Sequence, residues 1–375
     1  MDEHKKYSLS LFGGVFFFAI IGGSCAGIIA SVTANRSLQT YMETLTHDDS
    51  LVTLSQVKPR PLPGTYEEAL ERVFDVAVPT LALVRTASVD TTRRDRFVHK
   101  DDVLGAGTVV TSDGWVLFHK EVFSSFSNPA IEADIWIADT RYKIEEIRFD
   151  ELTDTVMVRV QARDLSPAPF GATQDVKSGA LLFAVPGLDS ITPTSLENAN
   201  RPLSAPILPA ESFGEVWDLT VSPEKPSAIF NSIGELVGFS GNDQVVPLHQ
   251  VLGFVQGTLR NETSIRAGLG AYVVNVESFI NIDDTLLSNQ RTGALIVVQT
   301  GTGTAVLPRS PASVAGLREY DLIVAVDGNL IAGGVTLPEL LVEHRVGDRV
   351  NVEYVRDGVR ADVLIELGAF SELNY

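Results

Sequence analysis

Cysteine is almost missing from this chain of 375 residues: the only one, Cys25, sits inside an apolar stretch. No intrachain disulfide can form, so a location outside the cytoplasm has to be argued from topology. Positive charge is also scarce. Lys and Arg number 29 against 48 Asp and Glu, a formal net charge of −19. Such a field repels a phosphate backbone, and with no basic stripe or stacking platform nucleic-acid binding is excluded. The six histidines are scattered and no H-E-x-x-H occurs. With one cysteine there is no thiolate cluster either, so no metal site and no cofactor are expected.

What the chain does have begins with a charge-free run from Tyr7 to Asn35, its core Leu9–Ala30 rich in Phe, Ile, Leu, Gly and Ala. Crossing a hydrocarbon layer takes about 20 mostly apolar residues. Residues 1–34 are therefore expected to be an N-terminal transmembrane anchor, with the lipid bilayer as partner. A removed signal peptide is the weaker reading, since its apolar region usually runs about 7–15 residues. Residues 35–64 are polar and carry Pro59, Pro61 and Pro63, as a linker does.

Thr65 opens a helix signal. Its hydroxyl can cap, Glu68 stands three residues on, and Ala69, Leu70, Val73 and Phe74 give an apolar stripe that Pro79 stops. The period then changes to two. Thr80–Arg85, Gly105–Thr111, Trp115–Phe118, Asp134–Ile137, Thr155–Val160, Ala180–Val185, Ala228–Ser232 and Glu235–Phe239 are short strand candidates, which favours a barrel or sandwich. From near Gly268 a smaller mixed unit is expected. Its strands are Ala271–Val276, Ala294–Val298 and Asp321–Val326, with short helices at 311–317 and 337–342 and a hairpin across Asp357-Gly358.

The smaller unit, assigned to residues 258–370, resembles a PDZ domain of the kind attached to bacterial proteases. Ser310–Leu317 followed by Asp321–Gly328 matches the pattern "SPAAKAGL…GDVIxxVNG". Gly268-Leu269-Gly270-Ala271 is similar to the family's carboxylate-binding turn. The resemblance implies that successive N–H groups of this turn meet a peptide C-terminus while the peptide lies along the adjoining strand edge.

The preceding body, residues 65–256, resembles the trypsin-like domain of the HtrA (Deg) proteases. Gly105–Phe123 is similar to "GSGxIIxxDGYILTNNHVV", Asp150–Val158 to "DPxxDIALL", and Pro223–Gly238 to "GNSGGAL…GELIGI". In an ungapped reading the catalytic histidine falls on Glu121, the orienting acid on Asp154 and the nucleophile on Lys225. Pro226 and Ser227 then fall on the two following glycines. The stretch Phe239–Pro247 is shorter than in the family.

Serine hydrolysis needs a hydroxyl, a base, an orienting acid and oxyanion donors. In this register only the acid survives. The expected fold is thus an all-β trypsin-like double barrel followed by a mixed α/β PDZ domain. The expected function is that of an inactive, membrane-anchored homologue, no enzyme, that binds peptide or protein C-termini at the cell envelope. Its folded domains would lie outside the cytoplasm on a single-pass anchor, and the resemblance allows a homo-oligomer. Glu121 and Lys225 are expected to form an ion pair across the former site. Two alternatives stay open: a structural envelope scaffold, and an active serine endopeptidase with a displaced catalytic set. The candidates for the latter are His119 and Ser227, each two residues from the family position, a shift that on a strand preserves the face.

Overall fold

The computed structural model describes residues 62–87, 102–150, 152–173, 176–202, 207–241, 244–261, 266–279, 282, 287, 290–373 and 375. The expected anchor at 1–34 and nearly all of the linker lie outside them. No helix among the described residues is long and apolar enough to cross a membrane.

The first helix, Tyr66–Ala77, starts where the sequence signals it, with a small change in its cap. Thr65 Oγ1 accepts from the Glu68 N–H at 3.1 Å, but the Glu68 carboxylate accepts from Gly64 N–H at 2.8 Å, one residue before the usual partner. Ala69, Val73 and Ala77 form its buried stripe.

Seven strands follow: β1 (Leu81–Thr86), β2 (Val103–Val109), β3 (Trp115–His119), β4 (Ala133–Ile137), β5 (Thr140–Tyr142), β6 (Ile144–Phe149) and β7 (Thr155–Val160). They make one antiparallel sheet ordered β5-β4-β1-β2-β3-β7-β6. Next come β8 (Leu181–Gly187), β9 (Ser190–Pro202), β10 (Leu208–Pro209), β11 (Glu215–Leu219), β12 (Ser227–Asn231), β13 (Leu236–Gly241) and β14 (Gln244–Pro247). All but β10 close into a barrel ordered β11-β14-β13-β12-β8-β9.

The central strands are apolar on both faces, and the two-residue period explains why. On the first sheet Ala82, Val84, Val116, Phe118, Val156 and Val158 fill one core. Their neighbours Leu81, Leu83, Trp115, Leu117 and Met157 face a second core shared with Phe183, Val185, Ala228, Phe230 and Phe239. Inside the closed barrel lie Leu182, Ala184, Leu196, Trp217, Ile229, Val237 and Val245. The helix Leu248–Leu259, unforeseen in the sequence, inserts Leu248, Val251, Phe254 and Val255 into the shared core. Burying each such side chain stabilises by about 1.5–3 kcal/mol, so the two β units are welded by the layer between them.

The C-terminal unit holds β15 (Ala267–Gly268), β16 (Tyr272–Asn275), β17 (Ala294–Ile296), β18 (Leu322–Val326), β19 (Asn329–Leu330), β20 (Arg349–Arg356), β21 (Val359–Glu366) and β22 (Gly368–Ala369). Its sheet runs β10-β16-β17-β18-β20-β21, and β15 pairs with β22. The outermost strand, β10, is supplied by the preceding body.

One buried ion pair ties this unit to the first sheet. Arg266 donates through Nη2 to Asp150 Oδ2 at 2.5 Å and through Nε to Oδ1 at 3.3 Å, and also to the Gln250 carbonyl at 3.1 Å. Both residues are buried. Stranding one charge of such a pair costs about 3–5 kcal/mol. Arg266→Met should therefore lower the urea unfolding free energy by about that much, and Arg266→Met with Asp150→Leu should recover part of it.

Candidate active site

β3 and β12 meet at the junction of the two β units, and their ends carry the residues of interest. His119 is the last residue of β3 and caps a 3-10 turn, Lys120–Phe123. Its Nδ1 accepts from the Glu121 N–H at 3.3 Å and lies 3.9 Å from Glu121 Oε2. That contact fixes the tautomer: in this arrangement the proton of a neutral ring sits on Nε2. The ring is 2% exposed. Burial pushes its pKa down to about 4, against an opposing pull from Asp154 and with a smaller push from Lys120. His119 is neutral at pH 7.

The pocket around the imidazole exists because residue 241 is glycine. A Cβ there would stand 2.1 Å from His119 Nδ1 and 2.7 Å from Glu121 Oε2. Gly241 follows Ser240, which is the register partner of Ser227 on β12. The strand pair β12–β13 thus brings Ser227 and His119 to the same junction through Ser240 and Gly241.

Ser227 is the first residue of β12 and is fully buried. Its Oγ donates to the Lys225 carbonyl at 2.7 Å, and its own carbonyl accepts from Ser240 Oγ at 3.4 Å. The Pro226 carbonyl accepts from Ala106 N–H at 3.0 Å, which staples the 222–226 segment to β2. Lys225 Nζ donates to the Val103 carbonyl at 2.6 Å. Glu121 and Lys225 line one cleft of about 210 Å3, together with Pro223, Glu224, Gly241 and Gln244. Asp154 is half exposed and its carboxylate pairs with Lys120 Nζ, so it reaches His119 through its field.

The expected peptide turn, Gly268–Ala271, is far better built than its sequence indicates. Glu211, which the sequence reading passed over, places its carboxylate Oε1 against the N–H groups of Leu269 and Gly270, the latter at 3.1 Å. Tyr375 O–H donates to the other oxygen. Burial raises the Glu211 pKa, while these hydrogen bonds oppose the rise. Gly270 has φ +80°, and a Cβ there would come within 2.3 Å of Ser310 Cβ. Among the described residues no group of His, Cys, Asp and Glu is placed to hold a metal ion.

Comparison with known proteins bears on both halves. The PDZ domain model matches residues 258–367. The chain is 26% identical over 287 residues to a protein of Pseudomonas fluorescens Pf-5 named probable periplasmic serine endoprotease DegP-like, covering 72% of this chain and 57% of that protein. A protein of the same name from Hahella chejuensis is 26% identical over 289 residues, covering 70% and 56%. The chain thus spans little more than half the length of these relatives. In the solved structure of the HtrA-type protease AlgW with decapeptide, the match has a TM-score of 0.54 at 17% identity, covering 81% of this chain and 98% of that one. The same protease with tripeptide matches equally, at 0.54.

These findings correct the expectation of an inactive homologue that is no enzyme and serves only as a binding module. The relatives are named serine endoproteases, and the alternative of an endopeptidase with a displaced set fits them better. The expectation of inactivity rested on an ungapped register, which assigned the roles to Glu121 and Lys225. A histidine and a serine stand two residues away, His119 at the end of β3 and Ser227 at the start of β12.

The His119 environment sets a pH test. Its folded pKa lies below the unfolded value, so its contribution to stability is fully present above about pH 6.5 and is lost as the pH falls towards 4, by about 3 kcal/mol in all. Buried Glu211, half-buried Glu215 and the more exposed Glu343, with values raised chiefly by desolvation, act in the opposite sense. Urea unfolding at pH 7.5 and 4.5 should therefore show a loss in the wild type that exceeds the loss in His119→Asn. On its fold, the described chain is a trypsin-like β-barrel body joined to a PDZ domain, the architecture of the HtrA-type proteases.

Proposed function

We propose that this chain is a serine endopeptidase of the cell envelope whose catalytic set is displaced by two residues, to the end of β3 and the start of β12, and whose PDZ domain takes peptide ends. The observation that carries the reading is the similarity, over about seven-tenths of the chain, to proteins named periplasmic serine endoproteases. The placement of His119 against Gly241 and of Ser227 opposite Ser240, the residue before Gly241, supports it.

In this reading Ser227 Oγ is the nucleophile and His119 Nε2 the base. A neutral imidazole is the form a base requires, and at pH 7 His119 holds it. Two changes must precede the chemical step. The ring has to pass its proton from Nε2 to Nδ1, and the Ser227 hydroxyl has to leave the Lys225 carbonyl, which requires movement of the 222–226 segment. Glu121 and Asp154 then offset the charge of the imidazolium. Lys225 is the cation lining the cleft and is there to meet a developing oxyanion; before substrate enters its Nζ donates to the Val103 carbonyl.

The anchor at residues 1–34, with its charge-free run from Tyr7, holds the domains at the outer face of the cytoplasmic membrane. Alkaline extraction of membranes should leave the full chain in the pellet, and release of the whole population would refute the anchor.

For the chemistry, fluorophosphonate labelling of the purified chain with peptide mapping is decisive. The label should map to Ser227 and vanish in Ser227→Ala. In His119→Gln the labelling rate should fall by at least about 100-fold, the scale on which a positioned base acts. Label on another serine, or Ser227 unlabelled while a control serine protease reacts, would overturn the assignment.

A further inference from the structure

The edge of a PDZ sheet beside the carboxylate-binding turn is where an extended ligand adds as a strand. In this chain that edge is taken. Leu208 and Pro209, on β10, pair antiparallel with Val273 and Tyr272 on β16, and Ala210 N–H donates to the Ala271 carbonyl at 2.8 Å. The next residue is Glu211, whose carboxylate receives the Leu269 and Gly270 N–H groups. Direction, register and terminal carboxylate are those of a bound peptide. Even the side chain that a ligand's last residue would insert has a counterpart. Ala210 is completely buried, in the core cluster that includes Leu269, Ala271, Val273, Leu337, Leu340 and Leu341.

We infer that residues 207–212 are a built-in ligand that occupies the peptide groove of the PDZ domain, with the Glu211 side chain standing in for a C-terminal carboxylate, so that a foreign peptide ending in a small apolar residue binds only by displacing them. The part that concerns foreign peptides rests on the peptide-binding reading above, whereas the self-occupancy does not.

Three features point the same way. Glu211 is taken fully out of water, which a carboxylate tolerates only where donors meet it; here two N–H groups and the Tyr375 hydroxyl do so. The side chain at the place of a ligand's last residue is the fully buried methyl of Ala210, which defines the ligand class as chains ending in Ala or a similarly small residue. And the segment belongs to the connection between β9 and β11, neighbours in the closed barrel. Past β11 the chain runs directly into Ser222–Pro226 at the cleft. Displacing the segment releases the β9–β11 connection from the PDZ sheet, so ligand binding and the mobility of the cleft wall are coupled.

Two measurements on the full chain test this separately. Amide hydrogen exchange reads the self-occupancy without any ligand: Ala210, Leu269 and Gly270 should be protected in the wild type and exchange at least 10-fold faster in Glu211→Ala, with circular dichroism unchanged. Equal exchange rates in the two proteins would overturn the built-in ligand. Tyr375→Phe, which removes one donor to Glu211, is the gentler variant and should accelerate the same amides by a smaller factor.

Fluorescence anisotropy reads the competition with a labelled decapeptide ending in Ile-Leu-Pro-Ala. A ligand facing a groove that is open for a small fraction of the time binds more weakly by that fraction. Glu211→Ala should therefore bind the probe at least 10-fold more tightly than the wild type, and amidation of the peptide end should abolish binding. Equal tight binding by both proteins would overturn the competition. If protection is lost in Glu211→Ala as expected but neither protein binds the probe, the peptide-binding reading falls and the self-occupancy stands.

Discussion

A guanidinium cut off from water imposes the arrangement on which the rest depends. Arg266 carries a charge that cannot be shed, so it has to be neutralised where it sits, and Asp150 does so with two hydrogen bonds. Asp150 closes the turn after β6 in the first sheet, and the Gln250 carbonyl that shares the guanidinium belongs to the helix leaving the closed barrel. Three parts of the chain thus meet at one side chain. A pair of this kind adds little net stability compared with apolar packing, but its geometry is unforgiving. It fixes where Ala267 begins β15, and so where the turn Gly268–Ala271 stands relative to Glu211.

Much of the architecture was legible because central strands leave a strong imprint. Leu117 and Phe118, or Ala228 and Ile229, are apolar on consecutive positions because one faces a barrel core and the other the layer between the β units. The strands that escaped notice lack this imprint. β6 reads Ile-Glu-Glu-Ile-Arg-Phe and forms an edge, so half of its pattern is solvated. β9 is long but contains Pro193, Asn198, Asn200 and Pro202, which read as loop chemistry. The helix Leu248–Leu259 hides behind Gly253 and Gly257 and has no side-chain N-cap. β10 is two residues long and takes its identity from a sheet more than sixty positions away.

The site was legible residue by residue but not in its assembly. His119, Glu121, Lys225 and Ser227 can all be singled out from motif alignment, yet their roles depend on which way strands place them and on what the opposing strand lacks. Gly241 settles the position of the imidazole by having no side chain, a fact that carries no signal in a stretch that reads only as shortened. Glu211 is the larger omission. It is one of 48 acidic residues in a chain whose net charge invites the assumption that each is a solvated surface group. Nothing local marks it out, because its partners Leu269, Gly270 and Tyr375 are distant in sequence.

The strand that the preceding body lends to complete the PDZ sheet has a quantitative consequence. A competitor encoded in the same chain is present at a ratio of one to one, however much protein the cell makes. Its effective concentration is set by a short tether and is commonly in the millimolar range for such links. The groove therefore has a threshold that expression cannot shift. On the proposed reading, stray chain ends, weakly held and dilute, are filtered out, and only an end that is abundant nearby or unusually well matched registers.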